Sequence, residues 1–212
     1  MAFFLHKSNI LLRTVYPEFL WRVDDDERTI YLTFDDGPIP DVTEFVLEQL
    51  DKFAAQATFF CIGDNVRKHR DVFYQVIEAG HLIGNHTFNH LNGWKSDDTD
   101  YLRNIEQCHR EMRIETGLFR PPYGRIKKSQ ATDVLQNHTI VMWDVLSGDF
   151  DPSLSPDVCL RKTIGYTEPG SIVVFHDSLK SWPTMRYVLP RMLAHFAERG
   201  YEFRAVPQPT YA

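Results

Sequence analysis

The chain has 212 residues, of which 43% are hydrophobic and 25% charged, and a formal net charge of −6 at pH 7. That length holds one domain with a substantial core, and the acidic balance excludes a nucleic-acid partner, which needs clustered Lys and Arg against the phosphates. Cys61, Cys108 and Cys159 are odd in number and far apart, which excludes a disulfide framework or a cysteine zinc site, and no apolar run is long enough to span a bilayer.

Residues 1–28 form an N-terminal segment that is apolar but interrupted by His6, Lys7 and Arg13. A charged n-region followed by an unbroken apolar core is missing, so the segment does not read as a signal peptide and a cytoplasmic location is expected. The segment is expected to pack on the domain formed by 29–212; contact with a membrane surface is the weaker expectation. Residues 29–34, Thr-Ile-Tyr-Leu-Thr-Phe, predict a buried strand that Gly37-Pro38 stops. Asp41 with Glu44 three residues on forms a capping box for a helix whose apolar residues Val42, Phe45, Val46, Leu50 and Phe53 follow helical spacing.

Further along, strands are predicted at 57–62, 81–85, 118–120, 139–145, 171–175 and 201–206. Helices are predicted at 64–79, 97–116, 127–136, 156–165 and 184–199, with Gly80 and Gly200 closing two of them. Strand and helix alternating this often argue for an α/β fold with a parallel sheet and helices outside. Seven strands suit a barrel smaller than the eight-stranded one, with a doubly wound open sheet as the alternative. In a barrel the chemistry sits on loops at the C-terminal strand ends.

The polar residues follow that rule. After the first strand stand Asp35 and Asp36, adjacent carboxylates that repel each other and resist desolvation unless a cation compensates. An isolated Asp-Asp-Gly would read as a solvated turn. The third strand is followed by His86 and His90, the fourth by Arg120-Pro-Pro122-Tyr123-Gly124, the fifth by Trp143-Asp144 and then Asp149, the sixth by His176-Asp177. Convergence of these side chains on one rim argues for a catalytic site. His86 and His90 are four apart, a spacing that puts both imidazoles on one face of a helical turn. Alone they would read as surface histidines. With Asp36 they make a His-His-Asp set with open positions, suited to a divalent metal that holds water or substrate. Asp35 is then left as the general base, with Arg120 keeping it ionised, and His176 as the general acid. Trp94 and Trp143 offer either a stacking wall for a sugar ring or core packing, the latter favoured for Trp143.

In order, Thr33-Phe-Asp-Asp-Gly-Pro38, His86-Thr-Phe-Asn-His90, Arg120-Pro-Pro-Tyr-Gly124, Trp143 to Phe150 and Val174-Phe-His176 resemble the five motifs of the polysaccharide deacetylase family, carbohydrate esterase family 4. The resemblance runs from Thr29 to Val206. It implies a distorted (β/α)7 barrel and metal-dependent hydrolysis of an N-acetyl group on a carbohydrate, an amino-sugar polymer, oligosaccharide or glycan precursor. Asp36, His86 and His90 match the metal ligands, with zinc expected and cobalt or nickel as alternatives. Asp35 matches the base, His176 the acid, Arg120 the residue that orients the base, and the Tyr123 backbone N–H an oxyanion donor. The family's fourth motif carries, at the position of Leu146, an Asp that supports the histidine; here Asp144 or Asp149 is the candidate to replace it. Phe150 stands where the motif closes on Trp. Another small amide as substrate, and a catalytically impaired carbohydrate-binding protein, are the alternatives.

Overall fold

Seven consecutive buried residues form β1 (Thr29–Asp35), and the sheet is built outward from this strand. The computed structural model describes residues 5–24 and 27–208, so parts of the expected 1–28 segment and the last residues of the 29–212 domain lie outside the described residues. In chain order the elements are α1 (Ile10–Val15), β1, α2 (Val42–Lys52), β2 (Thr58–Cys61), α3 (Gly63–Lys68), α4 (Arg70–Glu78), β3 (Leu82–Asn85), α5 (Asp98–Met112), β4 (Leu118–Phe119), α6 (Lys128–Val134), β5 (Thr139–Ile140), β6 (Val145–Leu146), α7 (Pro156–Tyr166), β7 (Ile172–His176), α8 (Trp182–Ala197) and β8 (Glu202–Arg204).

All strand pairs are parallel, in the order β5-β4-β3-β2-β1-β7-β6, with β8 added beside β1. This curled sheet with its helices is the distorted (β/α)7 barrel, and the doubly wound alternative does not hold. β8 pairs with Thr29–Tyr31 and β2 with Thr33–Asp35. The backbone N–H of Gln56, just before β2, donates to the Phe203 carbonyl, so β8 and β2 take the same edge of β1 in succession.

Alternation along β1 sorts its side chains. Ile30, Leu32 and Phe34 enter the large apolar cluster beneath the helices, where the Phe34 ring stacks on Phe59 and Phe175 at 5.0 and 6.0 Å. Tyr31, Thr33 and Asp35 face the barrel interior, Tyr31 packing with Phe60, Leu118 and Ile172. All three cysteines are buried and free.

Two predicted elements are divided. The 139–145 strand becomes β5 and β6, because the carbonyls of Val141 and Met142 turn to the buried Arg120 side chain instead of a neighbouring strand. The 64–79 helix breaks at His69, whose φ of −128° and ψ of 54° are non-helical. There α3 packs beside α5, where Gly63 meets the Cys108 backbone, and α4 turns Val72, Phe73 and Val76 onto the sheet.

β5 and β6 do not pair with each other, and residues 5–24 line the opening between them. The Leu20 N–H donates to the Ile140 carbonyl at 2.9 Å and the Met142 N–H to the Leu20 carbonyl at 2.7 Å. Toward β6, the Ser8 N–H reaches the Asp144 carbonyl at 2.8 Å and the Leu146 N–H reaches His6 at 2.9 Å. None of the α1 residues is buried.

Candidate active site

Arg120 is the largest fully buried side chain, and its position defines the floor of the site. It follows β4, crosses the interior, and its guanidinium lies 4.1 Å from the centroid of Phe60. Nε and Nη2 donate to the carbonyls of Val141 and Met142 at 3.0 and 2.8 Å. Nη1 donates to Thr33 Oγ1 at 2.8 Å and to Asp35 Oδ1 at 2.6 Å. Burial alone would raise the Asp35 pKa; the Arg120 charge, with smaller contributions from His86 and His176, outweighs it and holds the carboxyl below its ordinary value. This is a buried, fully bonded pair, not a surface salt bridge.

Asp36, His86 and His90 each place a ligand atom within 4.8 Å of the others. His90 Nε2 lies 3.3 Å and His86 Nε2 3.8 Å from Asp36 Oδ1. The means differs from the sequence expectation. Residues 86–90 are not a helical turn: Thr87 and His90 have φ of 62° and 60°, and Asp36 has φ of 85°, so the three ligands are gathered by a left-handed backbone. The Asn65 side-chain amide fixes the turn by donating to the Asp36 carbonyl at 2.7 Å.

The donor set fits a divalent ion. Asp36 Oδ1 is a buried oxygen without a hydrogen-bond partner. His86 Nδ1 lies 2.8 Å from the Arg120 carbonyl, which takes its N–H and leaves Nε2 as the free lone pair. Burial lowers the pKa of His86, and burial with the neighbouring His86 lowers that of His90 to about 4; both shifts favour the neutral ring, the form that ligates.

His176 ends β7 directly opposite Asp35 in the β1–β7 register. Its Nδ1 is 2.8 Å from Asp149 Oδ1, and its backbone N–H donates to Asp149 Oδ2 at 2.8 Å. Burial lowers its pKa, but the Asp149 carboxylate reverses that and lifts it to about 9. Asp149 is therefore the partner of His176, and Leu146 is a buried residue of β6. Asp144 is not at this site. It is fully buried lower in the barrel wall, where it binds Lys7 Nζ at 2.7 Å, Arg13, and Ser171 Oγ at 2.6 Å.

The turn Pro122–Gly124 borders His90. Pro122 is buried beneath it, Tyr123 has φ of 61°, and its exposed ring packs 4.4 Å from the His90 ring. Trp143 packs under this turn, so close that a Cβ at Gly124 would lie 2.6 Å from its ring; it also joins the cluster of Phe19 and Trp21. Trp143 is thus packing, whereas Trp94 stands exposed with Arg125 over its ring.

Three contributors had no role in the sequence reading. Thr33 shares the Arg120 guanidinium with Asp35, and Asn65 holds Asp36. Asp177, fully buried, accepts the Gly37 N–H at 3.0 Å and the Thr43 hydroxyl at 2.6 Å, which pins the Asp36-Gly37 turn. A Cβ at Gly37 would lie 1.9 Å from Asp177 Oδ2, so only glycine fits there. Asp177's place next to His176 at a strand end was the available signal.

Fold and site together define a distorted (β/α)7 barrel with a His-His-Asp cluster at the strand ends. The chain belongs to the polysaccharide deacetylase family, carbohydrate esterase family 4: the family model for polysaccharide deacetylase matches residues 22–143, more than half of the chain. A peptidoglycan-N-acetylglucosamine deacetylase of Bacillus cereus is 34% identical over 156 residues, covering 70% of this chain and 56% of that protein. A second one from the same organism is 33% identical over 196 residues, 89% of this chain and 91% of its own length. Among solved structures, the Bc1960 peptidoglycan N-acetylglucosamine deacetylase in complex with a hydroxamate-bearing benzamide superposes with a TM-score of 0.86 at 27% identity, covering 92% of this chain and 94% of that one. No helix among the described residues is long and apolar enough to cross a membrane.

Proposed function

We propose that this protein is a metal-dependent N-deacetylase of amino-sugar glycans. The observation that carries the reading is the β1–β7 register, which sets Asp35 and His176 opposite each other with Asp36, the first residue past β1, between them and the two histidines. A divalent ion on Asp36, His86 and His90, zinc by the chemistry of that donor set, supplies Lewis-acid activation of water and of the acetamide carbonyl.

The chain's own groups supply the rest. Asp35, ionised and oriented through Oδ1 by Arg120, takes the proton of the attacking water on its other oxygen. His176, charged through Asp149 at Nδ1, delivers the proton from Nε2 to the departing amine. The Tyr123 N–H, on the turn beside His90, donates to the carbonyl oxygen as charge develops there. Phe150 lies edge-on to His176 at 5.1 Å and closes that side against water.

Acetate release from acetylated chitooligosaccharides, peptidoglycan fragments and xylan by the zinc-loaded protein tests the reading. Activity is expected on at least one amino-sugar substrate, lost with a chelator and lost in Asp35→Asn, which still binds metal. Full activity in Asp35→Asn, or none on any amino sugar with metal bound, overturns it.

A further inference from the structure

The two walls of the site each carry a cation laid over an aromatic ring. On the β4 side the Arg125 guanidinium is 5.2 Å from the centroid of Trp94 and stands two residues past Tyr123, whose ring packs on His90. Trp94 is 59% exposed yet fixed, because its indole N–H donates to the Ile126 carbonyl at 3.0 Å. On the β7 side the Lys180 ammonium is 5.6 Å from the centroid of Phe150, which borders His176. β4 and β7 lie on opposite flanks of β1, so the loops that carry the two cations follow strands on either side of the one that bears Asp35.

Neither cation has a carboxylate within 4.0 Å among the described residues. Asp151 feels the Lys180 charge but turns its Oδ1 to the hydroxyl and N–H of Ser153. In a chain of net charge −6, two of the acids inside the site are already engaged, Asp35 by Arg120 and Asp149 by His176. An exposed guanidinium whose plane is held by a ring offers its N–H edge to a carboxylate at small entropic cost.

We propose that Arg125 and Lys180 select glycans that carry a carboxylate on a sugar next to the one being deacetylated, over neutral glycans of the same length. The proposal rests on the deacetylase reading above and narrows its substrate class. An exposed charge pair is worth up to about fivefold in affinity, and that gain falls as salt screens it.

The test measures kcat and KM of the zinc-loaded protein on chitotetraose, on a tetrasaccharide of alternating N-acetylglucosamine and N-acetylmuramic acid, and on the methyl ester of that second sugar. The acid is expected to exceed its ester in kcat/KM by about tenfold at low salt, through KM, with the advantage shrinking at high salt. Arg125→Gln and Lys180→Gln should each cut the acid-to-ester ratio by about threefold, with Arg125→Lys retaining part of it. Calorimetric binding of the acid to the Asp35→Asn protein should weaken in parallel when either cation is also replaced. Equal kcat/KM for acid and ester, or a ratio that neither variant moves, overturns the selection and leaves the deacetylase reading standing. No acetate from any of the three sugars overturns both.

Discussion

Asp149 holds His176 at two points, with Oδ1 2.8 Å from the ring Nδ1 and Oδ2 2.8 Å from the backbone N–H. One contact fixes the tautomer and the other fixes the carboxylate itself. Without Asp149 the dominant influence on His176 is burial, which lowers its pKa. Asp149→Asn should therefore move the alkaline limb of the kcat/KM profile to lower pH and cost about 10²-fold or more at pH 8. The folded pKa of about 9 lies above the ordinary 6.5, so the pair's contribution to stability is fully present below about pH 6.5 and lost as pH rises through 9. Asp36 and Asp35 also raise this pKa, so zinc beside them should lower the His176 titration seen by NMR relative to the metal-free protein.

In the proposed mechanism Arg120 makes Asp35 usable as the base. Its charge is what overcomes the burial that would otherwise keep Asp35 protonated. Arg120→Met should move the acid limb of activity to higher pH and, by leaving a carboxylate buried and unpaired, cost about 3–5 kcal/mol in denaturant unfolding. Arg120→Lys keeps the charge but loses the fork that reaches Val141, Met142 and Thr33, so stability should fall while the acid limb moves less. Because Asp35 is held below its ordinary value, its contribution to stability is present above about pH 4 and is lost as pH falls through the folded value. A profile unmoved by Arg120→Met would remove Arg120 from this role.

Metal binding should stabilise the folded chain by mass action, because the ligands are gathered only in the fold. Thermal scans are expected to show a rise in Tm with zinc, about 2.7 kcal/mol of stabilisation at a hundredfold excess over Kd. His90→Ala should abolish the rise. In Asp36→Asn the orphaned buried oxygen loses its charge, so the metal-free protein should be no less stable while the zinc response disappears. Retention of the zinc response in His90→Ala would place the ion elsewhere.

The parts that were legible in the sequence are those with local punctuation. The run into Asp35-Asp36-Gly37 announces a strand end, and the alternation of strand and helix announces the parallel sheet. What the sequence concealed depends on contacts between distant segments. The 139–145 run has one continuous β pattern, yet Arg120 takes its carbonyls across the interior and splits it. The His86–His90 spacing signals a shared ligand, but the left-handed turn that produces it leaves no trace in side-chain type, since Thr87 and His90 are ordinary residues. Residue types alone left Asp144 and Asp149 both open as the partner of His176; Gly148, with φ of 82°, turns the chain after β6 and delivers Asp149 to His176.

Asp144, freed from the catalytic assignment, has a different task. It is fully buried and gathers Lys7, Arg13 and Ser171, which joins the segment before β1 to the base of β6 and β7. That segment supplies backbone bonds to the edges β5 and β6 leave open, through Leu20 on one side and His6 and Ser8 on the other. Asp144→Asn keeps the volume and the Ser171 bond but leaves two partly buried cations facing a neutral amide. The expected cost is about 1.5–3 kcal/mol, the range for hydrogen bonds to charged groups, or roughly 3–12 °C in Tm for a chain of this size. The loss should shrink in Asp144→Asn combined with Lys7→Met and Arg13→Met, since the mismatch is then removed on both sides. kcat/KM below the unfolding transition should change little, because Asp144 touches neither Asp35 nor His176. A drop in kcat/KM comparable to that of Asp149→Asn, at unchanged Tm, would return Asp144 to the catalytic site.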